Sequence, residues 1–511
     1  MRRALLSVYD KTGIAGFARE LVELGFEIVS SGKTAAFLEQ EGIEVTTVES
    51  VTEAPEMLGG RVKTLHPRIH AGILARRDRE EDLSTLDEHE IEPFDLVCVN
   101  LYPFSSVAYR RDVSDGDTVE LIDVGGPSML RAAAKNFAHV AAVCSPEQFE
   151  TVLGELRARG DTTLETRRAL AAAAFAHTAA YDAEIAAWFA AAEALPDSLT
   201  ISFEKVADLA YGENPHQTAA YYRERGARSH LLSRVEQLGG RELSYNNLAD
   251  LEGARRLCDD FADPTAVIVK HGGPCGVAVG ATIGEAWARA LAADPISAFG
   301  CVAVLNRPVG AALGERIAKH FVEVLLAPDF DDDALAALRT KKQLRILADH
   351  ERRADTPGER DYTRVLGGLL VQDRDADTEE RAAMDVVCGE PTDAQWTDAL
   401  FAWRVCRHVR SNAIVVARDR QTIGIGAGQM SRVDAVRIAI DKARELGHEL
   451  PGSVLASDAF FPFADGPQLA LDAGIVAIVQ PGGSRRDDEV VAAVRGAGAA
   501  MVFTGRRHFR H

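Results

Sequence analysis

Residues 25–42 read GFEIVSSGKTAAFLEQEG, and this stretch decides the class of fold that we expect. A short apolar strand, FEIVSS, leads into a Ser-Gly turn and then into a helical segment, TAAFLEQEG. A strand, a glycine turn and a helix in this order form a phosphate cradle, because the free amides at a helix start face an anion. A nucleotide-hydrolase P-loop would also need a glycine at position 27, which is Glu27. The stretch therefore predicts phosphate binding in a geometry other than the Walker A loop.

The same alternation continues on both sides of this stretch. ALLSVYD predicts a strand and TGIAGFARELVELG a helix before it, while DLVCVNLYPF and HVAAVCS predict buried strands after it. Short apolar runs of this kind suit an α/β fold whose parallel sheet is covered on both faces. Such a sheet binds ligands at the carboxyl ends of its strands. Candidate contacts stand at those ends: Ser7, Asp10, Lys11, Ser31, Gly32, Lys33, Thr34, Asn100 and Tyr102.

The chain is long enough for two or three domains, because its 511 residues exceed what one hydrophobic core usually supports. Ser145 and Pro146 predict a helix start, and two Ala-rich helices end near Ala194. The segment LPDSLTISFEKVADLAYGENPHQ then combines proline, polar residues and a new strand. We expect a domain boundary there, with a first domain of 1–195 and a second of 196–511.

The composition argues against several classes of function. A formal net charge of −20 would repel the phosphate backbone of a nucleic acid. No run of about 18 apolar residues predicts a membrane span, and the short apolar start does not predict a cleaved signal peptide. The seven cysteines include no C-x-x-C pair, which indicates reduced thiols in a cytoplasmic protein.

Lysine is scarce, with ten lysines among 57 basic residues. An ammonium group is a compact point charge whose pKa can be tuned, which a guanidinium cannot supply. Half of the lysines stand beside turns or glycine-rich segments, so we expect them to take part in chemistry: Lys11, Lys33, Lys63, Lys135 and Lys270.

Two further segments of the first half carry charged and polar candidates. GRVKTLHPRIHAGIL contains Arg61, Lys63 and Thr64, together with two histidines four residues apart around Pro67. That proline argues against a regular helix there and no H-E-x-x-H is present, so we expect anion binding rather than a metal. LIDVGGPSMLRAAAKN joins Asp123 to a glycine turn and then to a helix. Cations for phosphate beside groups for proton transfer predict a small phosphorylated substrate.

These segments resemble the characteristic motifs of IMP cyclohydrolase, a domain of the methylglyoxal-synthase-like fold. The resemblance rests on SVYDKTG, SSGKT, GRVKTLHPRIHAGIL, NLYPF and DVGGPSMLRAAAKN. It implies roles in ring closure for Lys63, Tyr102, Asp123 and Lys135. It also implies substrate contacts for a larger set: Ser7, Lys11, Ser31, Gly32, Lys33, Thr34, Arg61, Thr64, Gly125 and Gly126.

The second half contains its own ordered motifs, of which VIVKHGGPCGVAVG carries the most chemistry. Lys270 and His271 follow an apolar strand, and such a pair offers an electrostatic stabiliser and a base that works near neutral pH. A zinc deaminase would need H-x-E and P-C-x-x-C, and neither pattern occurs here. In SDAFFPFADG the aromatic side chains are either core residues or a clasp for a flat heterocycle.

YGENPHQ, LSYNNLADLEGA, VIVKHGGPCGVAVG, DPISAFG, SNAIV, GIGAGQMSR, SDAFFPFADG and RRHFRH together resemble AICAR transformylase. Their order after a cyclohydrolase domain resembles the bifunctional enzymes of purine biosynthesis over essentially the whole chain. The resemblance implies two cytidine-deaminase-like α/β subdomains without zinc, about 196–360 and 361–511, joined near the charged stretch 349–362. It further implies a homodimer whose transformylase site is shared between chains.

The same resemblance implies the chemistry of the second half. His271 would take the amine proton of AICAR, Lys270 would stabilise the oxyanion, and Asn412 would position the formyl group of the co-substrate 10-formyltetrahydrofolate. The remaining implied substrate contacts are Tyr211, Gly212, His216, Asn246, Arg432, Phe463, Asp465 and Arg507. The product FAICAR would then close to IMP. No catalytic metal is implied, and a monovalent cation in the second half is left open.

One position departs from the family pattern. The family has Arg-Tyr-Gly before ENPHQ, and that arginine is associated with the AICAR phosphate, whereas this chain has Ala210. A charge-assisted contact contributes roughly 1.5–3 kcal/mol. With Arg507 as the remaining phosphate contact, we expect weakened AICAR binding.

Two alternatives remain open on the sequence alone. The first is a small-molecule sensing module, since the first fold also occurs as an allosteric ligand-binding domain, but this leaves the second half unexplained. The second is a monofunctional IMP cyclohydrolase with a weakened transformylase site. Ala210 favours the second alternative, while the presence of Lys270, His271 and Asn412 argues against it.

Overall fold

The computed structural model describes residues 2–108, 110, 112–191, 193–225, 227, 230–351, 359–376 and 380–511. The chain divides into two compact units. Unit 1 comprises Met1–Glu204 with Arg223–Arg228, and unit 2 comprises Lys205–Tyr222 with Ser229–His511. Of the charged stretch 349–362, positions 352–358 lie outside the described residues.

Unit 1 is built on a five-stranded parallel sheet in the order β3-β2-β1-β4-β5. Side chains of β1 alternate between two hydrophobic clusters, with Leu5 in one and Ala4 and Leu6 in the other. The predicted parallel sheet, buried on both faces, is therefore confirmed. The strands are β1 (Arg2–Val8), β2 (Phe26–Ser30), β3 (Thr46–Thr47), β4 (Leu96–Asn100) and β5 (Ala141–Val143).

Ten helices cover this sheet among the described residues. The predicted helix start at Ser145 is confirmed as a capping box with Gln148, with Pro146 at the first position. The helices are α1 (Ile14–Glu23), α2 (Gly32–Gln40), α3 (Val48–Thr52), α4 (Pro67–Leu74), α5 (Glu80–Glu88), α6 (Phe104–Ala108), α7 (Asp115–Val119), α8 (Gly125–Lys135), α9 (Phe149–Arg159) and α10 (Leu164–Phe189). Short 3-10 turns occur at Leu58–Gly60, Pro146–Gln148 and Arg381–Ala383.

The expectation that Pro67 prevents a regular helix was wrong. Pro67 is the first residue of α4, where its missing N–H has no partner to lose and its fixed φ favours the helix. His66 precedes it as the N-cap, and its Nδ1 accepts a hydrogen bond from the Arg68 N–H at 3.2 Å.

Unit 2 is built on a twelve-stranded mixed sheet in the order β16-β21-β20-β19-β17-β18-β10-β9-β11-β12-β13-β8. Its strands are β8 (Val235–Gly239), β9 (Thr265–Lys270), β10 (Gly273–Val279), β11 (Cys301–Leu305), β12 (Val322–Ala327), β13 (Arg345–Asp349), β16 (Asp385–Cys388), β17 (Ile414–Arg418), β18 (Gln421–Gly426), β19 (Val454–Ser457), β20 (Ala477–Gln480) and β21 (Ala500–Phe503). Two separate antiparallel ribbons pair β6 (Phe203–Leu209) with β7 (Ala219–Glu224) and β14 (Arg360–Val365) with β15 (Gly368–Asp373).

The large sheet contains an internal duplication. Strands β8 to β13 and strands β16 to β21 follow one another with the same pairings, and the two halves meet where β10 pairs antiparallel with β18. The helices repeat in step, so that α11 to α14 correspond to α15 to α18. They are α11 (Tyr245–Asp259), α12 (Ile283–Ala293), α13 (Ala311–Ile317), α14 (Asp332–Arg339), α15 (Asp393–Arg407), α16 (Arg432–Glu445), α17 (Asp465–Asp472) and α18 (Asp487–Gly496).

Glycines let the central strands of both halves approach their helices closely. A Cβ at Gly276 of β10 would lie 2.0 Å from the Ala290 carbonyl oxygen of α12. In the second half, a Cβ at Gly424 of β18 would lie 2.1 Å from the Ala439 carbonyl oxygen of α16. The same contact therefore sets the helix-to-sheet distance on both sides of the β10–β18 junction.

We predict that Gly276→Ala and Gly424→Ala each lower the free energy of unfolding by about 1–3 kcal/mol, because the added methyl must push a helix away. Gly496→Ala is the matched control, since a Cβ there would meet nothing within 4 Å. Urea unfolding of the three variants measures the difference. Equal stability of all three would contradict the close-packing explanation.

Candidate functional site

A cavity of about 860 Å³ lies at the carboxyl ends of β1, β2 and β4 in unit 1. It brings together nearly all the candidate residues of the first half, as the parallel sheet predicts. Those that line it are Ser7, Lys11, Ser31, Gly32, Lys33, Thr34, Arg61, Lys63, Thr64, Tyr102, Asp123, Gly125 and Gly126.

Asp10 does not line the cavity, and neither does Lys135. Lys135 is the last residue of α8, which begins at Gly125 on the cavity wall. Because an α-helix rises about 1.5 Å per residue, Lys135 lies about 15 Å from Gly125 along the axis. Its side chain is exposed and does not line the cavity. Helix length thus separates two residues that the motif places in one segment.

The start of α2 forms a positively charged corner of this cavity. Ser31 is the N-cap residue, and its side chain makes no capping hydrogen bond. Burial and the nearby charge of Lys33 lower the pKa of Lys11. Two ammonium groups that repel each other beside a helix N-terminus favour an anion, because the anion relieves the repulsion.

Thr34 connects this corner to the end of β1. Its hydroxyl accepts a hydrogen bond from the Val8 N–H at 3.1 Å and donates to the Val8 carbonyl oxygen at 2.9 Å. The side chain is buried at the cavity wall, where the Lys11 ammonium also donates to the hydroxyl at 3.3 Å. The hydroxyl thus fixes α2 against β1, and the implied contact of Thr34 with the substrate stays a prediction.

Lys63 lies over the same helix start. A Cβ at Gly32, whose φ is +51°, would come within 2.8 Å of the Lys63 Nζ. The ammonium forms ion pairs with Glu56 at 2.5 Å and Glu49 at 3.6 Å. Arg61, on the preceding turn, forms an ion pair with Glu120. Both cations are therefore held at the cavity rim by carboxylates that sequence reasoning did not single out.

The pKa values of Asp123 and Tyr102 are both raised. Burial raises the pKa of Asp123, whose Oδ1 accepts a hydrogen bond from the Gly126 N–H at 2.8 Å. Burial and the neighbouring Asp123 charge raise the pKa of Tyr102, while Lys63 opposes that rise. A Cβ at Gly126 would lie 2.4 Å from the Asp123 Oδ2, so glycine is required for this arrangement. The two groups are suited to exchange protons with a bound substrate.

The two histidines of the GRVKTLHPRIHAGIL segment stand at and within α4. His66 is the N-cap residue of this helix, and His70 is half-buried inside it, where burial lowers its pKa. Over the described ranges, no group of three or more His, Cys, Asp and Glu side chains could hold a metal ion.

In unit 2, Lys270 and His271 occupy the turn between β9 and β10. The Lys270 ammonium donates a hydrogen bond to the Phe299 carbonyl oxygen, and His271 adopts a left-handed φ of 52°. Asp250 of α11 holds the turn, because its carboxylate accepts from the Gly272 N–H at 2.6 Å and the His271 N–H at 3.2 Å. Burial raises the pKa of Asp250. Sequence reasoning missed Asp250, although it lies in the quoted motif LSYNNLADLEGA.

The second half of the sheet has an equivalent turn, also held by a helix carboxylate but without a histidine. Asp398 of α15 accepts from the Asp419 N–H at 2.8 Å and the Arg420 N–H at 2.7 Å in the turn between β17 and β18. Both turn residues have left-handed φ values, of 49° and 56°. Burial raises the pKa of Asp398 as it does that of Asp250.

Asn412 precedes β17 and lies at the same sheet edge as the end of β9. Its Nδ2 donates to the Gln429 carbonyl oxygen at 2.7 Å, and its Oδ1 accepts from the Arg432 Nη2 at 2.7 Å. Arg432 is buried and also forms an ion pair with Asp458. Arg432 thus fixes the amide of Asn412, and its implied contact with the substrate stays a prediction.

Arg410 is a further cation at this edge that the motifs did not indicate. Arg410 stands two residues before Asn412 in sequence. A Cβ at Gly272, in the turn after β9, would lie 3.4 Å from the Arg410 Nη2. The Arg410 carbonyl oxygen accepts from the Gly428 N–H at 2.8 Å. The side chain thus reaches from the Asn412 loop to the Lys270–His271 turn.

The remaining candidates of the second half are dispersed over loops. Asn246 donates through Nδ2 to the Glu213 carbonyl oxygen at 3.2 Å, which ties α11 to the YGENPHQ loop. Phe463 lies under the Arg486 guanidinium at 4.8 Å, and Arg507 lies over Phe509 at 4.5 Å. Exposed side chains are those of Tyr211, His216, Asn246, Phe463, Asp465 and Arg507, whereas Gly212 is buried.

Comparison with known proteins finds two matching families and similar proteins. The family described as AICARFT/IMPCHase bienzyme matches residues 133–442, and the MGS-like domain matches residues 13–128. Proteins named "Bifunctional purine biosynthesis protein PurH" are similar over 100% of both chains. Identity is 49% for Halalkalibacterium halodurans and 48% for Listeria monocytogenes serotype 4a. A solved structure titled "Crystal structure of ForH" covers 37% of this chain and 98% of its own at 39% identity, with a TM-score of 0.34.

Asp123 gives a prediction about pH. Because its pKa is raised above the ordinary 3.8, the folded chain binds this proton more tightly than the unfolded chain. Its contribution to stability is complete below the unfolded value and is lost as the pH rises through the folded value. Asp123→Asn keeps the oxygen that accepts from Gly126 and never ionises. We expect the Tm advantage of this variant over the parent to grow from about pH 4 to about pH 7.

Asp87→Asn is the control, since this residue is exposed on α5. Thermal unfolding of the three proteins at each pH measures the effect. A Tm difference for Asp123→Asn that is constant over the whole range would contradict a raised pKa.

Proposed function

This chain belongs to the AICARFT/IMPCHase bienzyme family and has both activities of that family, and on that premise we propose which of its residues perform each reaction. Unit 2 transfers a formyl group to the amine of AICAR, which gives FAICAR. Unit 1 then closes FAICAR to IMP with loss of water. The cavity at the start of α2, with its paired lysines beside a protonatable carboxyl, is the observation that most supports the second assignment.

For formyl transfer, we assign the base to His271. The AICAR amine is a weak nucleophile because its lone pair is delocalised into the ring and the carboxamide. Removal of its proton by the His271 imidazole as the nitrogen attacks the formyl carbon would lower that barrier. The Lys270 ammonium, at the end of β9, would stabilise the oxyanion that develops on the formyl oxygen. The folate nitrogen takes a proton as its bond to the formyl carbon breaks.

We propose that Asn412 positions the formyl group of 10-formyltetrahydrofolate. Its amide is held by Gln429 and Arg432, and a fixed amide contributes more to catalysis than a mobile one. Phe463 and Asp465 lie on the exposed aromatic loop and are proposed contacts of the folate. The chemistry requires no redox cofactor and no catalytic metal, and it is compatible with a bound monovalent cation.

For ring closure, we propose that the start of α2 binds the phosphate of FAICAR. Ser31, Gly32 and Lys33 supply amides, a hydroxyl and a charge, while Lys11 and Arg61 add further cations. The carboxamide nitrogen attacks the formyl carbon, and Lys63 stabilises the oxyanion. Binding would draw Lys63 away from Glu56, its ion-pair partner.

Asp123 and Tyr102 manage the protons of this step. A carboxyl with a raised pKa can take the proton of the attacking carboxamide nitrogen, and the phenol can return one to the departing water. The resemblance also implies a role for Lys135, which lies at the far end of α8.

We propose that the protein acts as a homodimer. Met430 is almost fully exposed, although its carbonyl oxygen accepts from the Asn412 Nδ2 at 3.2 Å beside the transformylase residues. Leu366 and Leu370 of the β14–β15 ribbon are likewise exposed. Large apolar side chains in such positions are typical of surfaces that a partner chain covers. All seven cysteines are free thiols, which supports a cytoplasmic location. Separately, no helix in the described residues is long and apolar enough to cross a membrane.

The decisive experiment supplies AICAR with 10-formyltetrahydrofolate and follows tetrahydrofolate and IMP separately. We expect both products, with His271→Ala losing folate turnover and Lys63→Ala losing the closure of FAICAR supplied directly. IMP from FAICAR without any folate turnover would leave the monofunctional alternative in place.

Lys33→Ala tests the phosphate-binding role of the first cavity. We expect the KM for FAICAR to rise about tenfold while kcat changes little, because the charge contributes to binding in both ground and transition states. Lys33→Arg is the matched variant and should recover part of the affinity. A fall in kcat at unchanged KM would place Lys33 among the catalytic groups instead.

A further inference from the structure

A second cavity, of about 610 Å³, lies in unit 2 around Ala210, the position at which the resemblance implies an arginine. Ala210 and Tyr211 form one part of its wall, and Arg241 and Arg345 form another. Arg345 is the first residue of β13, and Arg241 follows the end of β8, its neighbour in the sheet. Two arginines therefore face the space that a longer side chain at position 210 would enter.

The Arg345 guanidinium is oriented by backbone oxygens. Its Nε donates to the Glu242 carbonyl oxygen at 3.0 Å, and its Nη1 donates to the Gln343 carbonyl oxygen at 3.4 Å. Within the described ranges, its Nη2 has no hydrogen-bond partner, and Arg345 forms no ion pair. The orientation of the Arg345 guanidinium is thus fixed, while its Nη2 remains available to a ligand.

Arg241 carries a second uncompensated charge. Its side chain is exposed and makes no hydrogen bond or ion pair with any described residue. Two carboxylates also line the cavity, those of Glu242 and Glu323. Neither forms an ion pair with these arginines in the described part of the chain, and the Glu323 Oε2 instead accepts from the Asn247 Nδ2 at 3.0 Å.

We propose that Arg241 and Arg345 bind the phosphate of AICAR in this cavity and replace the arginine that is absent at position 210. This rests on the formyl transfer proposed above. A phosphate dianion matches two guanidinium groups in charge and in hydrogen-bond geometry, and the methyl group of Ala210 leaves room for it. Arg507 is then not the only phosphate contact, and Ala210 does not by itself weaken AICAR binding.

Calorimetric titration with AICAR and with its dephosphorylated riboside tests this assignment. For Arg241→Ala and for Arg345→Gln we expect the Kd for AICAR to rise about 10- to 100-fold, because each loses a charge-assisted contact. Binding of the riboside should change by no more than about twofold. Lys342→Ala is the matched control, since Lys342 is an exposed cation near Gln343 that does not line the cavity.

A rescue experiment adds a second measurement. Ala210→Arg should change the Kd for AICAR little in the parent protein but should recover most of the affinity lost by Arg241→Ala, because the new guanidinium enters the same cavity. Thermal unfolding establishes that each variant is folded before titration.

Three outcomes would overturn the assignment: unchanged AICAR binding in both variants, an equal loss for AICAR and riboside, or a loss as large in Lys342→Ala. Failure of the proposed function is distinguishable, because the parent protein would then neither bind AICAR nor turn over the folate.

Discussion

The burial of β1 on both faces is the constraint on which the first unit depends. Its side chains fill two hydrophobic clusters, so no polar group can project from the middle of the strand without losing its hydration. Polar and charged residues are therefore restricted to the strand ends. Because β2 and β4 run parallel to β1 on either side, their carboxyl ends meet at one edge. The helix start that we propose binds phosphate and the two groups that we propose transfer protons then line the same cavity.

In the second unit, the pairing of β10 with β18 has a similar organising effect. It joins two halves of equal topology so that the end of β9 and the approach to β17 lie at one edge of the sheet. The first half contributes Lys270 and His271 there, and the second contributes Asn412. The half-buried Asp250 holds the His271 turn, and the buried Arg432 holds Asn412. The residues proposed to act in formyl transfer are thus positioned by elements that are themselves fixed by packing.

Much of the first unit could be predicted from the sequence, because its signals are local. The strand-turn-helix pattern around Ser31 depends on hydrophobic periodicity and one glycine, and both act over a few residues. The contents of the cavity followed from the rule for parallel sheets. Lys135 ends the helix that follows the glycine turn, and its role in ring closure stays a prediction. The contacts of Thr34 with Val8 and of Arg432 with Asn412 were not predicted, because these partners are remote in sequence.

Other features could not be predicted, because they depend on contacts between residues that are remote in sequence. Arg410 and Asp250 act through tertiary contacts, with a turn 138 residues away for Arg410 and 22 for Asp250. The resemblance implied two like subdomains in the second half, but the sequence shows no repeat, because equivalent strands keep only their hydrophobic pattern and not their residues. The two arginines near Ala210 come together through the pairing of β8 with β13, a register that no local motif encodes.

The turns held by Asp250 and Asp398 share the same carboxylate contacts and differ in that only the first carries a histidine. Since the turn without a histidine has the same left-handed backbone and the same carboxylate clasp, the conformation of His271 is not a distortion reserved for catalysis. The turn without a histidine is therefore a reference within the same chain, against which the contribution of the imidazole can be separated from that of the loop.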